Sequence, residues 1–145
     1  MTVLVLDPRV PADALPGLEA RFGGEVAGDD VTAVVITPRS PIGRRELERL
    51  PSLRVVATAS VGYDHVDLEG AAARGIWVCH VPDYCVDEVA DHALALLLAV
   101  WRGVAFLDRD VRAGGWNPLA AGPLRTLRGS RVGLVGYGRI GSAFG

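Results

Sequence analysis

The 145-residue chain is poor in the features that mark extreme classes of protein. It has two cysteines, Cys79 and Cys85, and no Cys-x-x-Cys pair. A disulfide scaffold is therefore excluded as the organising device, and free thiols in a reducing compartment are expected. Excess charge is missing too. A formal net charge of −2 gives no electrostatic footprint for nucleic acid or an anionic membrane, so neither is expected as a partner. Long hydrophobic runs are absent: the longest uncharged apolar stretch, residues 93–101, falls well short of the ~20 residues of a membrane span. The opening residues, Met-Thr-Val-Leu-Val-Leu-Asp, have no basic region and no cleavage site. No secretory signal is read, and the expected location is cytoplasmic. Cys79, His80, Cys85, Asp91 and His92 lie near one another in sequence, but their spacing matches no zinc pattern, so no metal is expected. Cys79 reads instead as a small hydrophobe in a buried strand.

What the chain does contain is apolar periodicity. Half of it is hydrophobic and the mean hydropathy is +0.28, enough for one ordinary domain with a real core. Residues 3–6 form an apolar run ended by Asp7-Pro8, and a strand apolar on both faces belongs in a parallel sheet covered by helices. Residues 12–22 place Leu15, Leu18 and Phe22 at helical spacing before Gly23-Gly24, although Pro16 makes that helix short or late. Residues 25–27 read as a weak strand, 31–36 as a strong one, 46–50 as a helix with Leu47 and Leu50 inward, 53–57 as a strand, and 76–81 as another. This alternation is the signature of an α/β fold with a doubly wound parallel sheet. Residues 87–102 form the longest helix, apolar almost all round and so expected to be buried between layers or subunits. Asp87, Glu88 and Asp91 suit the positive end of its dipole. Residues 104–113 suggest a more exposed helix, and 116–127, with two prolines, a connector.

Two stretches carry chemistry. The first follows the 53–57 strand: Thr-Ala-Ser-Val-Gly-Tyr-Asp-His-Val-Asp at 58–67. Ligands of open α/β sheets bind beyond the carboxyl ends of strands. Gly62 has no Cβ to keep a ligand away, so the amides near Val61 and Gly62 are candidates to grip a carboxylate. The same residues also suit a plain tight turn, with Asp67 capping a helix over 68–74 and Gly75 at its C′ position. His65 and His80 fall at strand ends, but neither has an acidic orienter in evidence, which makes a poor general base. Asp7 at the end of the first strand resembles the arrangement of phospho-receiver domains. Those need a phosphoacceptor Asp after a later strand, where this chain has Thr37, and that reading is rejected.

The second stretch is Gly136-Tyr137-Gly138-Arg139-Ile140-Gly141, preceded by an apolar run at 132–135 that reads as a strand and followed by residues that can start a helix. The first Gly makes the turn, the second clears room for pyrophosphate, and the third lets helix and strand pack closely. The acidic residue that would hold a ribose falls ~20 residues further on, past Gly145, so NAD and NADP cannot be told apart.

Together these residues resemble the D-isomer-specific 2-hydroxyacid dehydrogenase family. The likeness is carried by residues 60–67, 71–78, 81–98 and 127–141, in consistent order and spacing, and 81–98 resembles the phosphoglycerate-dehydrogenase and co-repressor members most. The resemblance implies the N-terminal portion of an NAD- or NADP-dependent enzyme that interconverts a D-2-hydroxy acid and a 2-oxo acid. Residues 1–102 would belong to a flavodoxin-like substrate domain, 103–129 to a connector and dimerisation arm, and 130–145 to the first strand and helix start of a Rossmann NAD-binding domain. It implies substrate binding at Val61 and Gly62, cofactor binding at Val61 and at Gly136, Tyr137, Gly138, Arg139, Ile140 and Gly141, and a homodimer. Many members carry Ser or Thr at the position of Val61, so a side-chain hydroxyl contact is not expected here. The family's catalytic Arg, Glu and His belong to later segments, so no catalytic residue is placed on this chain and no dehydrogenase activity is expected of it alone. The rival readings are a co-repressor-like protein that senses dinucleotide, and a truncated dimerisation module.

Overall fold

The computed structural model describes residues 2–7 and 9–145. Five strands are present: β1 (Thr2–Val5), β2 (Glu19–Phe22), β3 (Val31–Ile36), β4 (Val55–Thr58) and β5 (Trp77–Cys79). The helices are α1 (Arg44–Glu48), α2 (Leu68–Ala73), α3 (Val86–Trp101), α4 (Val104–Arg112) and α5 (Arg139–Phe144). The chain forms two compact units, Met1–Tyr84 and Cys85–Gly145. The longest helix clusters with the C-terminal unit.

In the N-terminal unit every strand pairing is parallel and the strand order is β2-β1-β3-β4-β5, the flavodoxin-like arrangement. Alternation decides which residues form the core. Leu4, Val34, Ile36 and Val56 point to one face, where α1 contributes Leu47 and α2 contributes Ala71. Ile42, Leu50, Leu53, Val66 and Ile76 close the same cluster. Burial of each such leucine or isoleucine contributes roughly 1.5–3 kcal/mol, so this single cluster is the main source of stability in the unit.

Local signals set the helix ends. The Glu46 carboxylate accepts the Gly43 N–H at 3.0 Å at the start of α1. Asp67 caps α2 by accepting the Gly70 N–H at 2.9 Å, as its side-chain chemistry predicts. Arg74 follows α2 and returns its guanidinium to the carbonyls of Leu47 and Leu50 at the end of α1, tying the two helices together.

Several expectations are corrected. Residues 12–22 are not a helix: a 3-10 turn at Ala12–Ala14 gives way to β2. Pro16 and the positive φ of Gly17 interrupt the helical path, and the open edge of β1 then takes Glu19–Phe22 as a parallel neighbour. Residues 25–27 form a local turn, not a strand. Pro8, expected to help end the first strand, lies outside the described residues. Cys79 is exposed, not buried, because β5 is the sheet edge and only Val78 turns towards the core.

In the C-terminal unit, α3 and α4 are separate helices bent by 62°. Among the described residues no single helix is long and apolar enough to cross a membrane. The expected burial of α3 does not occur within the chain: only Ala90 is buried, while Leu96 is 55% and Val100 82% exposed. A helix covers only the side laid against its neighbours, and among the described residues much of the remaining apolar side of α3 is exposed. Residues 132–135 also fail to form a strand, and Val135 is fully exposed. A strand needs a lateral hydrogen-bonding partner, and among the described residues none pairs with this segment.

Candidate functional site

The carboxyl ends of β1, β3 and β4 open onto a cavity of about 530 Å³ lined in part by Asp7, Arg9, Thr37, Arg39, Ser60 and Tyr84. Its polar floor is buried. Asp7 is 4% exposed and accepts the Arg9 backbone N–H at 2.8 Å, the Arg9 Nε–H at 2.9 Å and the Thr37 hydroxyl at 2.8 Å. The Arg9 guanidinium also bonds the second Asp7 oxygen at 2.6 Å. These Arg9 bonds, with the Thr37 hydroxyl in support, hold the Asp7 carboxyl far below the usual carboxylate range and raise Arg9 in turn. The sequence reading missed this trio. The sequence reads Asp7 only as the end of the first strand and as a rejected likeness to phospho-receiver domains, and nothing local signals that Thr37, 30 residues on, meets it.

The loop after β4 adjoins this floor. Ser60 is buried and its hydroxyl donates to the Gly62 carbonyl at 2.7 Å. That uses its one proton, so the contact between Thr58 Oγ1 and Ser60 Oγ at 2.7 Å has Thr58 as donor. Thr58 then accepts from His65 Nε2 at 3.0 Å, which fixes His65 as the Nε2–H tautomer. From the end of β5, the Val81 N–H donates to the Ser60 carbonyl at 3.1 Å, and His80 Nδ1 donates to the Val61 carbonyl at 2.9 Å. Tyr63 packs edge-on against His80 with ring centroids 5.0 Å apart. The far end of the loop is held where Ile42 exchanges hydrogen bonds with His65 and Asp67.

The structure thus brings Val61 and Gly62 to the carboxyl end of an interior strand, with their carbonyls engaged. Among the described residues their amides donate to no protein acceptor. Gly62 does not use a left-handed backbone; a Cβ there would meet Asp64 Oδ1 at 3.2 Å. Two unengaged amides on a loop whose carbonyls are hydrogen-bonded can bind an anionic oxygen. His65 and His80 are both committed to holding this loop, and neither ring bonds a carboxylate among the described residues. Likewise no group of three His, Cys, Asp or Glu side chains converges among those residues.

In the C-terminal unit, Gly136 takes φ +92°, a conformation that side chains disfavour, and Gly138 is the N-cap of α5. A Cβ on Gly141 would lie 2.3 Å from the Gly136 carbonyl oxygen, so only glycine permits this approach. Tyr137 is exposed, and the residues from Arg139 to Ile140 start the helix. A glycine-rich turn running into a helix start is the local geometry that phosphate-binding turns use.

Sheet order, loop and glycine turn define a doubly wound α/β protein of the dinucleotide-linked class. The chain belongs to the D-isomer-specific 2-hydroxyacid dehydrogenase family, whose catalytic-domain model matches residues 24–139. It is 43% identical over 120 residues to a glyoxylate reductase of Pyrococcus furiosus, covering 79% of this chain and 36% of that protein. The chain therefore spans about a third of the length of that relative. Among solved structures it resembles an NADPH-dependent glyoxylate/hydroxypyruvate reductase of Sinorhizobium meliloti in complex with NADP and malonate. There the TM-score is 0.81 at 35% identity, over 99% of this chain and 48% of that one. A D-lactate dehydrogenase of Aquifex aeolicus, complexed with NAD and lactic acid, shares the fold with a TM-score of 0.89 at 23% identity, over 99% of this chain and 46% of that one.

Proposed function

We propose that the chain supplies the substrate-carboxylate loop and the opening of the cofactor-binding unit of an NAD(P)-dependent oxidoreductase. The reaction interconverts a D-2-hydroxy acid and a 2-oxo acid, and the relatives' names favour small acids such as glyoxylate and hydroxypyruvate. The observation that carries this reading is the pair of unengaged amides at Val61 and Gly62 beyond β4. A carboxylate oxygen accepting both gains charge-assisted hydrogen bonds and is fixed in orientation, leaving the adjacent C2 carbonyl presented for reaction. Val61 has no hydroxyl, so its backbone does the binding. When bound, the reduced nicotinamide would supply a hydride from C4 to the 2-oxo acid, and the oxidised form would accept one from the 2-hydroxy acid. The turn from Gly136 through Tyr137, Gly138, Arg139 and Ile140 to Gly141 fits a pyrophosphate: Gly136 makes the bend, Gly141 allows the close packing, and the turn runs directly into the start of α5. Residues 1–102 are read as substrate domain, 103–129 as a connector and dimerisation arm, and 130–145 as the start of the cofactor domain. The exposed apolar side of α3 supports a homodimer.

The test is an amide-resolved titration of the 15N-labelled chain. Glyoxylate is expected to shift the Val61 and Gly62 resonances, and NADPH or NADH those of residues 136–141. Steady-state assays of the same chain are expected to show no nicotinamide-dependent turnover. Glyoxylate leaving both amides unmoved would falsify the carboxylate assignment.

A further inference from the structure

Three consecutive peptide groups in the loop have their carbonyls tied down. The Ser60 carbonyl takes the Val81 N–H, the Val61 carbonyl takes His80 Nδ1–H, and the Gly62 carbonyl takes the Ser60 hydroxyl. No cis peptide is present among the described residues. In a planar trans peptide the carbonyl of one residue and the N–H of the next point in opposite directions. His80 and Val81 are neighbours leaving β5, so the first two carbonyls turn to the same side. The N–H groups of Val61 and Gly62 therefore both turn to the other side. An extended strand would alternate them; this loop presents them together.

We propose that His80 is a positioning residue for anion binding, a role that rests on Val61 and Gly62 receiving the substrate carboxylate. His80 holds the Val61–Gly62 peptide plane and so aims the Gly62 N–H. Tyr63, edge-on to the ring, keeps the imidazole in place. The chain His65–Thr58–Ser60 does the same for the Gly62 carbonyl, with each proton assigned in one direction. The two histidines consequently carry opposite tautomers, Nδ1–H at His80 and Nε2–H at His65.

Long-range 15N spectra of the histidine rings read those tautomers without any ligand. The expected result is Nδ1–H for His80 and Nε2–H for His65; an Nε2–H form at His80 overturns the clamp. Glyoxylate titrations of wild type, His80→Ala and His80→Asn then test its consequence at the Val61 and Gly62 amides. His80→Ala is expected to weaken glyoxylate about three- to tenfold, the worth of one modest hydrogen bond. His80→Asn, which keeps a donor near the Nδ1 position, is expected to recover most of the loss. His80 is exposed, so unchanged Ile42 and Asp67 resonances check that both variants keep the fold. Wild-type amides that shift, with equal affinity in His80→Ala, overturn the His80 role alone. Wild-type amides that do not shift overturn the carboxylate reading, and the His80 role with it.

Discussion

At the scale of single residues, the most consequential arrangement is the one around Asp7. A buried carboxylate with three donors from Arg9 and one from Thr37 is stable only while it is charged. Its folded pKa lies below its unfolded one, so its contribution to stability is fully present above the ordinary carboxylate range. That contribution is lost as pH falls through this range towards the depressed folded value. Glu25, lowered by its hydrogen bond and ion pair with Arg49, has the same sign. That pair is exposed and is screened by salt. Urea unfolding across an acid series is therefore expected to show a steeper loss of stability below the carboxylate range in wild type than in Asp7→Asn. At neutral pH, Thr37→Val removes one donor and should lower stability by about 1 kcal/mol. An acid profile identical in wild type and Asp7→Asn would count against this account.

At the scale of elements, loops gain their geometry from what pins them. The loop after β4 begins under Val81, is held midway by His80 and ends at Ile42. The turn before α5 is built differently, from glycine itself. Gly141→Ala would set a methyl group against the Gly136 carbonyl, and backbone cannot yield as a flexible side chain does. The expected outcome is a changed set of resonances across 136–141 and loss of any NADPH-induced shift there, while the Val61 and Gly62 response to glyoxylate persists. A variant whose turn resonances match wild type would contradict the close approach seen at Gly141.

At the scale of the whole molecule, the apolar residues that lack cover matter most. Leu94, Leu96 and Val100 on α3, with Trp116 and Leu119 beyond α4, are exposed to different degrees, Trp116 at 88%. Large exposed apolar surface mediates association. Sedimentation equilibrium is expected to show concentration-dependent self-association of the chain, weakened by Leu96→Glu, which adds a charge to an exposed position and removes nothing from the core. A monomer at all concentrations would refute the dimerisation reading.

The sequence by itself determined the elements whose causes are local. The run of β-branched residues at 31–36 is β3, Asp67 caps α2, Leu47 and Leu50 turn inward, and the spacing of Gly136, Gly138 and Gly141 marks the start of α5. The family likeness was legible for the same reason, since it resides in contiguous motifs. Only the tertiary structure decided what depends on partners distant in sequence. Glu19–Phe22 became a strand because the edge of β1 was open, and residues 132–135 did not because no neighbour pairs with them. Thr37, which donates to Asp7, and His80, which anchors Val61, lie 30 and 19 residues from them. Hydrogen bonds of this kind have no periodicity to read, so the loop's Val61 and Gly62 were visible as candidates while the bond from His80 to the Val61 carbonyl was not.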